Sequence, residues 1–301
     1  MKKLLLIILL TFSANAQNIS VKSINQFTQL DQGQFFHPQI SPKGELLFTG
    51  AGYTGLYLMD LSGNIKTLSE EPGAGYEPAF SEDGSYVYFR PYKYEGMKKV
   101  SSLIKKDITQ NSEKVLIKDE RDFTSAKRLP GGSVAVSRNA AFFVADEAQN
   151  VSKSIGNETA AFIEKGKIAL YKNGEKTILT PNGDGFYLWP SISPDGTKLL
   201  FTKAGKGTFI STLDGEILVE LGYANAPRWS PDGQWVVFMR DLDDGHQIIE
   251  SDIFVISADG KNTIAITETE DIKEVYPFWG PENEIVFGSE KGIIFKAILE
   301  K

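Results

Sequence analysis

The chain has 301 residues, a net charge of −7 and no cysteine. The lack of cysteine excludes disulfide bridges, thiolate metal sites and cysteine nucleophiles, and the acidic balance argues against nucleic acid as a partner. A chain of this length can bury about 75 % of its unfolded surface, so a large core can stabilise it without disulfides.

The first sixteen residues have the order of a secretory signal peptide. Lys2 and Lys3 supply a positive start, residues 4–12 form an apolar run, and residues 14–16 read Ala-Asn-Ala, a small-residue cleavage site. The apolar run is too short for a transmembrane helix, which needs about 20 residues. We therefore predict a signal peptide over residues 1–16 with cleavage near Ala16, one domain over residues 17–301, a periplasmic or secreted location and no transmembrane anchor.

One segment recurs along the rest of the chain, which indicates a repeat protein. Its fullest form reads Pro-x-x-Ser-Pro-Asp-Gly followed by an apolar stretch that ends in Phe. The copies begin at Pro38, Pro78, Pro190, Pro227 and Pro277, and the last copy is degenerate. Proline is tolerated at the start of a strand, and Ser-Pro-Asp-Gly favours a tight turn. Each copy is therefore predicted to be a β-hairpin, and in most copies a second hairpin completes a four-stranded antiparallel sheet.

Sheets repeated every ~40–50 residues bury their faces by stacking radially, which predicts an all-β fold, a β-propeller. We predict six blades. The third comprises residues 123–137 and the hairpin at Asn173 and Gly174, and it is enlarged by residues 139–166. Seven blades are the alternative, because residues 161–166 echo residues 79–84. That echo lies too close to Pro190 to leave room for four strands, which favours six.

The two ends of the chain are predicted to close the ring. After Phe287 only one further strand is predicted, over residues 293–299, so the last blade lacks its outer strand. Residues 19–30 precede the first repeat and belong to no predicted blade. We expect them to supply the missing strand and so to remove two exposed sheet edges.

The repeats resemble those of TolB-like β-propellers and of the propeller domains of prolyl-oligopeptidase-like peptidases. The resemblance covers nearly the whole chain after residue 16. Among such proteins the chain is similar to the single-domain exported propellers of Bacteroidetes. It has no Gly-x-Ser-x-Gly nucleophile elbow, so the resemblance implies a fold and an extracytoplasmic setting but no peptidase activity.

In such propellers the first strands line a central channel, and ligands bind at its mouth. The residues at or near the starts of the predicted first strands are therefore candidate ligand-binding residues: His37, Glu77, Trp189, Arg228 and Tyr276. The longest regular loop between second and third strands, residues 240–251 of the fifth predicted blade, emerges on the same face. It adds Arg240 and His246 as candidates.

The same loop is rich in carboxylates. Asp241, Asp243, Asp244 and Glu250 are candidate ligands for a divalent cation such as calcium. The pattern departs from an EF-hand, because Gly245 and His246 fall where an acidic or amide residue and a glycine belong. The alternative is a solvated loop whose aspartates stabilise turns.

These observations favour a ligand-binding or protein-binding module of the cell envelope, with an envelope protein or a small polar molecule as partner. We expect a monomer. The alternative is a metal-dependent lyase or hydrolase acting on a saccharide or peptide at the same channel mouth. No complete catalytic set is recognisable, so the binding module is the favoured prediction.

Overall fold

A computed structural model describes residues 19–139, 141–145, 151–153 and 158–300; for residues 151–153 it describes the backbone alone. The strands of these residues form seven antiparallel sheets. Two short 3-10 helices, Leu30–Gln32 and Ala51–Tyr53, accompany them. No helix in the described ranges has the length and apolar character needed to span a membrane. The predicted signal peptide lies outside the described residues.

The strands follow the chain blade by blade. Strand β1 (Ser20–Gln26) precedes blade 1, which contains β2 (Phe36–Ile40), β3 (Leu46–Thr49), β4 (Thr54–Met59) and β5 (Ile65–Pro72). Blade 2 contains β6 (Ala79–Phe80), β7 (Tyr86–Phe89), β8 (Tyr92–Glu95), β9 (Lys98–Asp107) and β10 (Glu113–Glu120). Blade 3 contains β11 (Lys127–Arg128), β12 (Val134–Arg138), β13 (Ala141–Ala145) and β14 (Val151–Lys153).

Blade 4 contains β15 (Thr159–Glu164), β16 (Lys167–Lys172) and β17 (Glu175–Leu179). Blade 5 contains β18 (Tyr187–Ile192), β19 (Lys198–Lys203), β20 (Gly207–Thr212) and β21 (Ile217–Gly222). Blade 6 contains β22 (Asn225–Trp229), β23 (Trp235–Asp243), β24 (Ile248–Ser257) and β25 (Thr263–Ala265). Blade 7 contains β26 (Glu274–Trp279), β27 (Glu284–Ser289) and β28 (Ile294–Glu300).

The prediction of six blades was wrong, and the fold is a seven-bladed β-propeller. The segment treated as an insertion into the third blade holds β13 and β14, which complete blade 3, and β15, which begins blade 4. The hairpin at Asn173 and Gly174 joins β16 to β17 and so belongs to blade 4. As predicted, the segment before Pro190 is too short for a four-stranded blade. It nevertheless forms a separate blade, because blade 4 has three strands. A blade can omit its outermost strand because its inner strands already contact both neighbouring blades.

The predicted closure of the ring by the N-terminal segment is confirmed. Strand β1 is the outer strand of blade 7 and pairs antiparallel with β28, from Ser20 opposite Glu300 to Gln26 opposite Phe295. The buried hydroxyl of Thr28 fixes the end of this pairing, because its Oγ1 accepts a hydrogen bond of 2.9 Å from the Ile294 N–H. Blade 7 therefore combines the two ends of the chain.

The hydrophobic core is divided among the spaces between blades. The described residues contain seven clusters of buried apolar side chains, one for each pair of adjacent blades. Successive side chains of a strand point to opposite faces. Thus Leu47 packs toward blade 2 while Phe48 packs toward blade 7. The second strands are apolar on both faces because both faces are covered.

The repeated turn fixes the ends of these strands. In blade 5 the buried Ser193 Oγ accepts a hydrogen bond of 2.9 Å from the Lys198 N–H and donates one of 2.5 Å to Asp195. The hydrogen bond from Ser193 Oγ, together with one from the Thr197 N–H, holds the pKa of Asp195 below its usual range. Gly233, at φ +67°, would place a Cβ 3.2 Å from Pro194 of the preceding blade. The turn glycine is thus required by its own backbone and by the neighbouring blade.

Candidate functional site

The residue before each repeat proline has an unusual backbone conformation. These residues have φ between +47° and +55°, a region that non-glycine residues rarely occupy: His37, Glu77, Trp189, Ala226 and Tyr276. In four of the five blades the pairing between first and second strands shifts at this position, which defines a β-bulge. Strain of this kind is commonly kept where it positions a functional side chain.

In each blade the residue after the repeat proline, or the residue at the same position in blades without that proline, lines a central cavity. The cavity has a volume of about 570 Å³, and every blade contributes to its wall. The wall residues at this position, one from each blade in order, are Gln39, Ala79, Lys127, Ala161, Ser191, Arg228 and Phe278. Since these residues come from the innermost strand of each blade, the cavity is the channel that the sequence predicts.

Five charged side chains line this cavity. Glu77, Lys127 and Arg228 are partly buried, whereas Glu82 and Arg128 are exposed. The Lys127 Nζ donates a hydrogen bond of 2.8 Å to the Pro190 carbonyl and lies 5.7 Å from the centre of the Phe162 ring. Burial lowers the pKa of Lys127 to about 8, and Arg228 acts in the same direction while Glu77 opposes it. Most of the Lys127 population is therefore charged at neutral pH.

An aromatic row crosses the face on which the first strands begin, here called the upper face. The ring centroids of Tyr276 and His37 lie 4.0 Å apart, those of His37 and Tyr53 lie 4.5 Å apart, and those of Tyr53 and Tyr76 lie 5.0 Å apart. The row connects blade 7 to blade 2 through blade 1. Burial, and after it the charge of Arg228, lowers the pKa of His37 to about 4. His37 is therefore neutral at pH 7.

The carboxylates of the long loop bind their own backbone and neighbours. The loop is the β23–β24 hairpin, which belongs to blade 6 in a seven-bladed ring. Asp243 accepts a hydrogen bond from the Gly245 N–H, and Asp244 accepts from the N–H groups of His246 and Gln247. Asp241 accepts from Asn225 Nδ2 at 2.7 Å. The bonds of Asp243 and Asp244 are those of turn-forming aspartates, whereas the bond of Asp241 joins β23 to β22.

The other predicted ligands of this loop are exposed to solvent. Arg240 lies with its guanidinium 4.3 Å from the centre of the Phe254 ring, and both His246 and Glu250 are exposed. No group of three or more His, Asp or Glu side chains in the described ranges is arranged to hold a metal ion. The metal-dependent lyase or hydrolase left open by the sequence thus gains no ligand cluster from these residues.

The candidate residues fall into separate groups in the structure. Glu77 and Arg228 line the central cavity, whereas His37 and Tyr276 pack against each other. Trp189 packs against the apolar cluster between blades 6 and 7.

Sequence reasoning missed Lys127, because its blade has no repeat proline. Aligning Leu129, Pro130 and Gly132 with Ser41, Pro42 and Gly44 would have shown that Lys127 occupies the same repeat position as Gln39, which lines the channel.

Solved structures with similar folds are propellers of differing function. No protein-family model matches the chain, and no curated protein matches it. TolB from Acinetobacter baumannii has a TM-score of 0.51 and 19 % identity over 81 % of this chain. The chain spans 57 % of the length of that TolB chain.

Lyases are also among the similar structures. Virginiamycin B lyase from Staphylococcus aureus has a TM-score of 0.65 and 16 % identity, covering 94 % of this chain and 100 % of the lyase. Oligogalacturonate lyase in complex with manganese has a TM-score of 0.52 and 14 % identity, covering 92 % of this chain and 80 % of that one. At these identities the likeness shows a shared fold. The fold is that of a β-propeller.

Proposed function

We propose that the protein is an exported binding module whose central cavity takes a small polar ligand bearing a carboxylate. The observation that carries the proposal is the excess of positive charge in a cavity of about 570 Å³, whose lining holds Lys127, Arg128 and Arg228 against the carboxylates of Glu77 and Glu82. Ligand sites in proteins typically occupy about 300–1,000 Å³ and combine an apolar wall with a few polar groups. This cavity has both properties.

The charge arrangement favours an anionic ligand. Removing the cations Lys127 and Arg228 from water is costly unless they are compensated, and Glu77 is the one partly buried carboxylate that lines the cavity with them. A ligand carboxylate would complete the compensation, and a guanidinium such as that of Arg228 can bind a carboxylate through two parallel hydrogen bonds. Glu77 is then free to accept hydrogen bonds from hydroxyl or amino groups of the same ligand.

The proposed setting is the cell envelope. Support comes from the signal-peptide order of residues 1–16, which precede the described domain. The fold shared with TolB agrees with this setting. In the proposal the leader is removed and the propeller binds its ligand outside the cytoplasm.

A matched pair of sugars tests the cavity. D-galacturonate and D-galactose differ in one carboxylate, and the dipeptide Ala-Ala supplies a second carboxylate probe of similar size. We expect calorimetric titration to show binding of galacturonate or Ala-Ala but not of galactose. Arg228→Gln and Lys127→Gln should weaken this binding at least tenfold, because each removes a cation that faces the carboxylate.

Lys206→Gln is the matched control, since Lys206 is exposed in the β19–β20 turn. Lys127 is bonded to the protein backbone, so thermal melting should first establish that its variant is folded. Binding of galactose as tight as that of galacturonate, binding unaffected by Arg228→Gln, or no binding of either carboxylate probe would contradict the proposal.

A further inference from the structure

A second cavity lies beside the upper face, where blades 1, 2 and 3 meet. Its volume is about 610 Å³, and it shares no lining residue with the central cavity. The cavity is lined by three tyrosines and three cationic side chains: Tyr53, Tyr76, Tyr92, Arg90, Lys99 and Arg121. These residues come from five segments of the chain, which lie in blades 1 and 2 and in the connections that follow them.

The lining of this cavity has an excess of positive charge. Three cations line it against one carboxylate, Asp122, and within the described residues none of the three forms an ion pair at 4.0 Å or less. The charge of Glu77, which is outside this lining, also acts on Arg90. Arg90 donates one hydrogen bond of 2.8 Å to the Phe123 carbonyl, while its buried Nε has no hydrogen-bond partner in the part of the chain that the structure describes. Clefts with an excess of one sign of charge attract ligands of the opposite sign.

The tyrosine walls are held in place and offer hydroxyl donors. Tyr92 packs beneath the Lys99 ammonium, 3.6 Å from the ring centre, and a Cβ at Gly73 would come within 2.5 Å of the Tyr92 ring. Burial raises the pKa of Tyr53 to about 12, and Glu77 together with burial raises the pKa of Tyr76. Both phenols therefore stay protonated at neutral pH and can donate hydrogen bonds to an anion.

We propose that this cavity binds the phosphate or carboxylate group of a small organic anion, independently of the ligand of the central channel. Arg90 and Arg121 would contact the anionic oxygens, because guanidinium groups suit both phosphate and carboxylate geometry. Lys99 adds a third positive charge, and the tyrosine hydroxyls add neutral donors. The preformed wall lowers the ordering cost of binding.

The test uses one sugar ring with three substituents. Glucose 6-phosphate, glucuronate and glucose are titrated into the Arg228→Gln variant, in which the central cavity is impaired. We expect saturable binding of glucose 6-phosphate or glucuronate, and the tighter of the two identifies the anionic group. Glucose should bind at least tenfold more weakly than the preferred anion.

Arg121→Gln and Lys99→Gln are expected to weaken binding of the preferred anion at least fivefold each. Arg121 is exposed and forms no ion pair with the residues that the structure describes, so its variant should fold normally. Lys98→Gln is the matched control, because Lys98 is an exposed neighbour that does not line the cavity. Equal loss in Lys98→Gln and Arg121→Gln, or no saturable binding of either anion, would overturn the proposal. Galacturonate titrated into Arg121→Gln, in which the second cavity is impaired, reports on the central cavity, so the two proposals fail separately.

Discussion

At the scale of single residues, Glu274 carries the most consequential pKa shift outside the cavities. It begins β26 and is 2 % exposed. One carboxylate oxygen accepts a hydrogen bond of 2.8 Å from Thr269 Oγ1, while the buried Oε2 has no hydrogen-bond partner in the described residues. Burial raises the pKa of Glu274 from 4.5 to about 7, and Asp252 and Glu290 act in the same direction. The folded protein therefore favours the protonated form.

This shift predicts a loss of stability with rising pH. The contribution of Glu274 to stability is complete below pH 4.5 and is lost as the pH rises through about 7, because the folded protein keeps a proton that the unfolded chain releases. We expect Glu274→Gln to raise the free energy of unfolding at pH 8 by about 1–3 kcal/mol and to change it little at pH 4.5. Urea denaturation at both pH values measures the difference. Glu268→Gln, an exposed position in the same connection, is the matched control for the loss of one carboxylate.

At the scale of elements, the N-terminal strand closes the ring through both hydrogen bonds and packing. Ile19 is 5 % exposed and belongs to the apolar cluster between blades 6 and 7, whereas Ile24 in β1 is 42 % exposed. The segment thus adds to a core formed by residues more than 200 positions away in the chain. Contacts of this kind stabilise the ring without belonging to any one repeat.

The two isoleucines provide a matched test of closure. Ile19→Ala should lower the free energy of unfolding by about 2–4 kcal/mol, because it leaves a cavity between blades. Ile24→Ala should change it by no more than about 0.5 kcal/mol. Urea unfolding measures both. Equal effects would mean that β1 is held by its backbone pairing and not by the buried side chain.

At the scale of the whole molecule, the ring converts a local repeat into shared sites. Each blade contributes one wall position to the central cavity, and each junction between blades contributes one apolar cluster. Neither cavity exists within a single blade. A change in blade number would alter the width of the channel and separate Lys127 from Arg228, so closure at seven determines which charges share the cavity.

The proposed export is the feature of the whole chain that is simplest to test. Expression of the full sequence in a Gram-negative host, followed by fractionation and N-terminal sequencing, should recover protein that begins at Gln17 outside the cytoplasm. Replacing Leu6 and Leu9 with Arg should interrupt the apolar run and retain uncleaved protein in the cytoplasm, because signal peptides need that run. Cytoplasmic, uncleaved wild-type protein would contradict the proposed setting.

Local sequence signals predicted the hairpins well, because their causes are local. Ser193, Pro194 and Gly196 encode a turn by hydrogen bonding and backbone preference, whatever surrounds them. Counting the predicted strands showed that the last blade lacks its outer strand. Residues 19–30 belonged to no predicted blade and were therefore expected to supply that strand. The sequence also placed Glu77 and Arg228 at or near the starts of first strands, and both residues line the central cavity.

The amino-acid sequence by itself determined the β-hairpin repeat, the propeller and the pairing of its two ends. Tertiary structure alone decided the number of blades, because blade 4 can dispense with a fourth strand only when its neighbours cover it. It also decided which charges meet: Lys127 reaches the channel from a blade without a repeat proline, and Arg90 and Arg121 share a cavity with Tyr53 of another blade. Contacts across a closed ring depend on packing between distant segments, which no local pattern specifies.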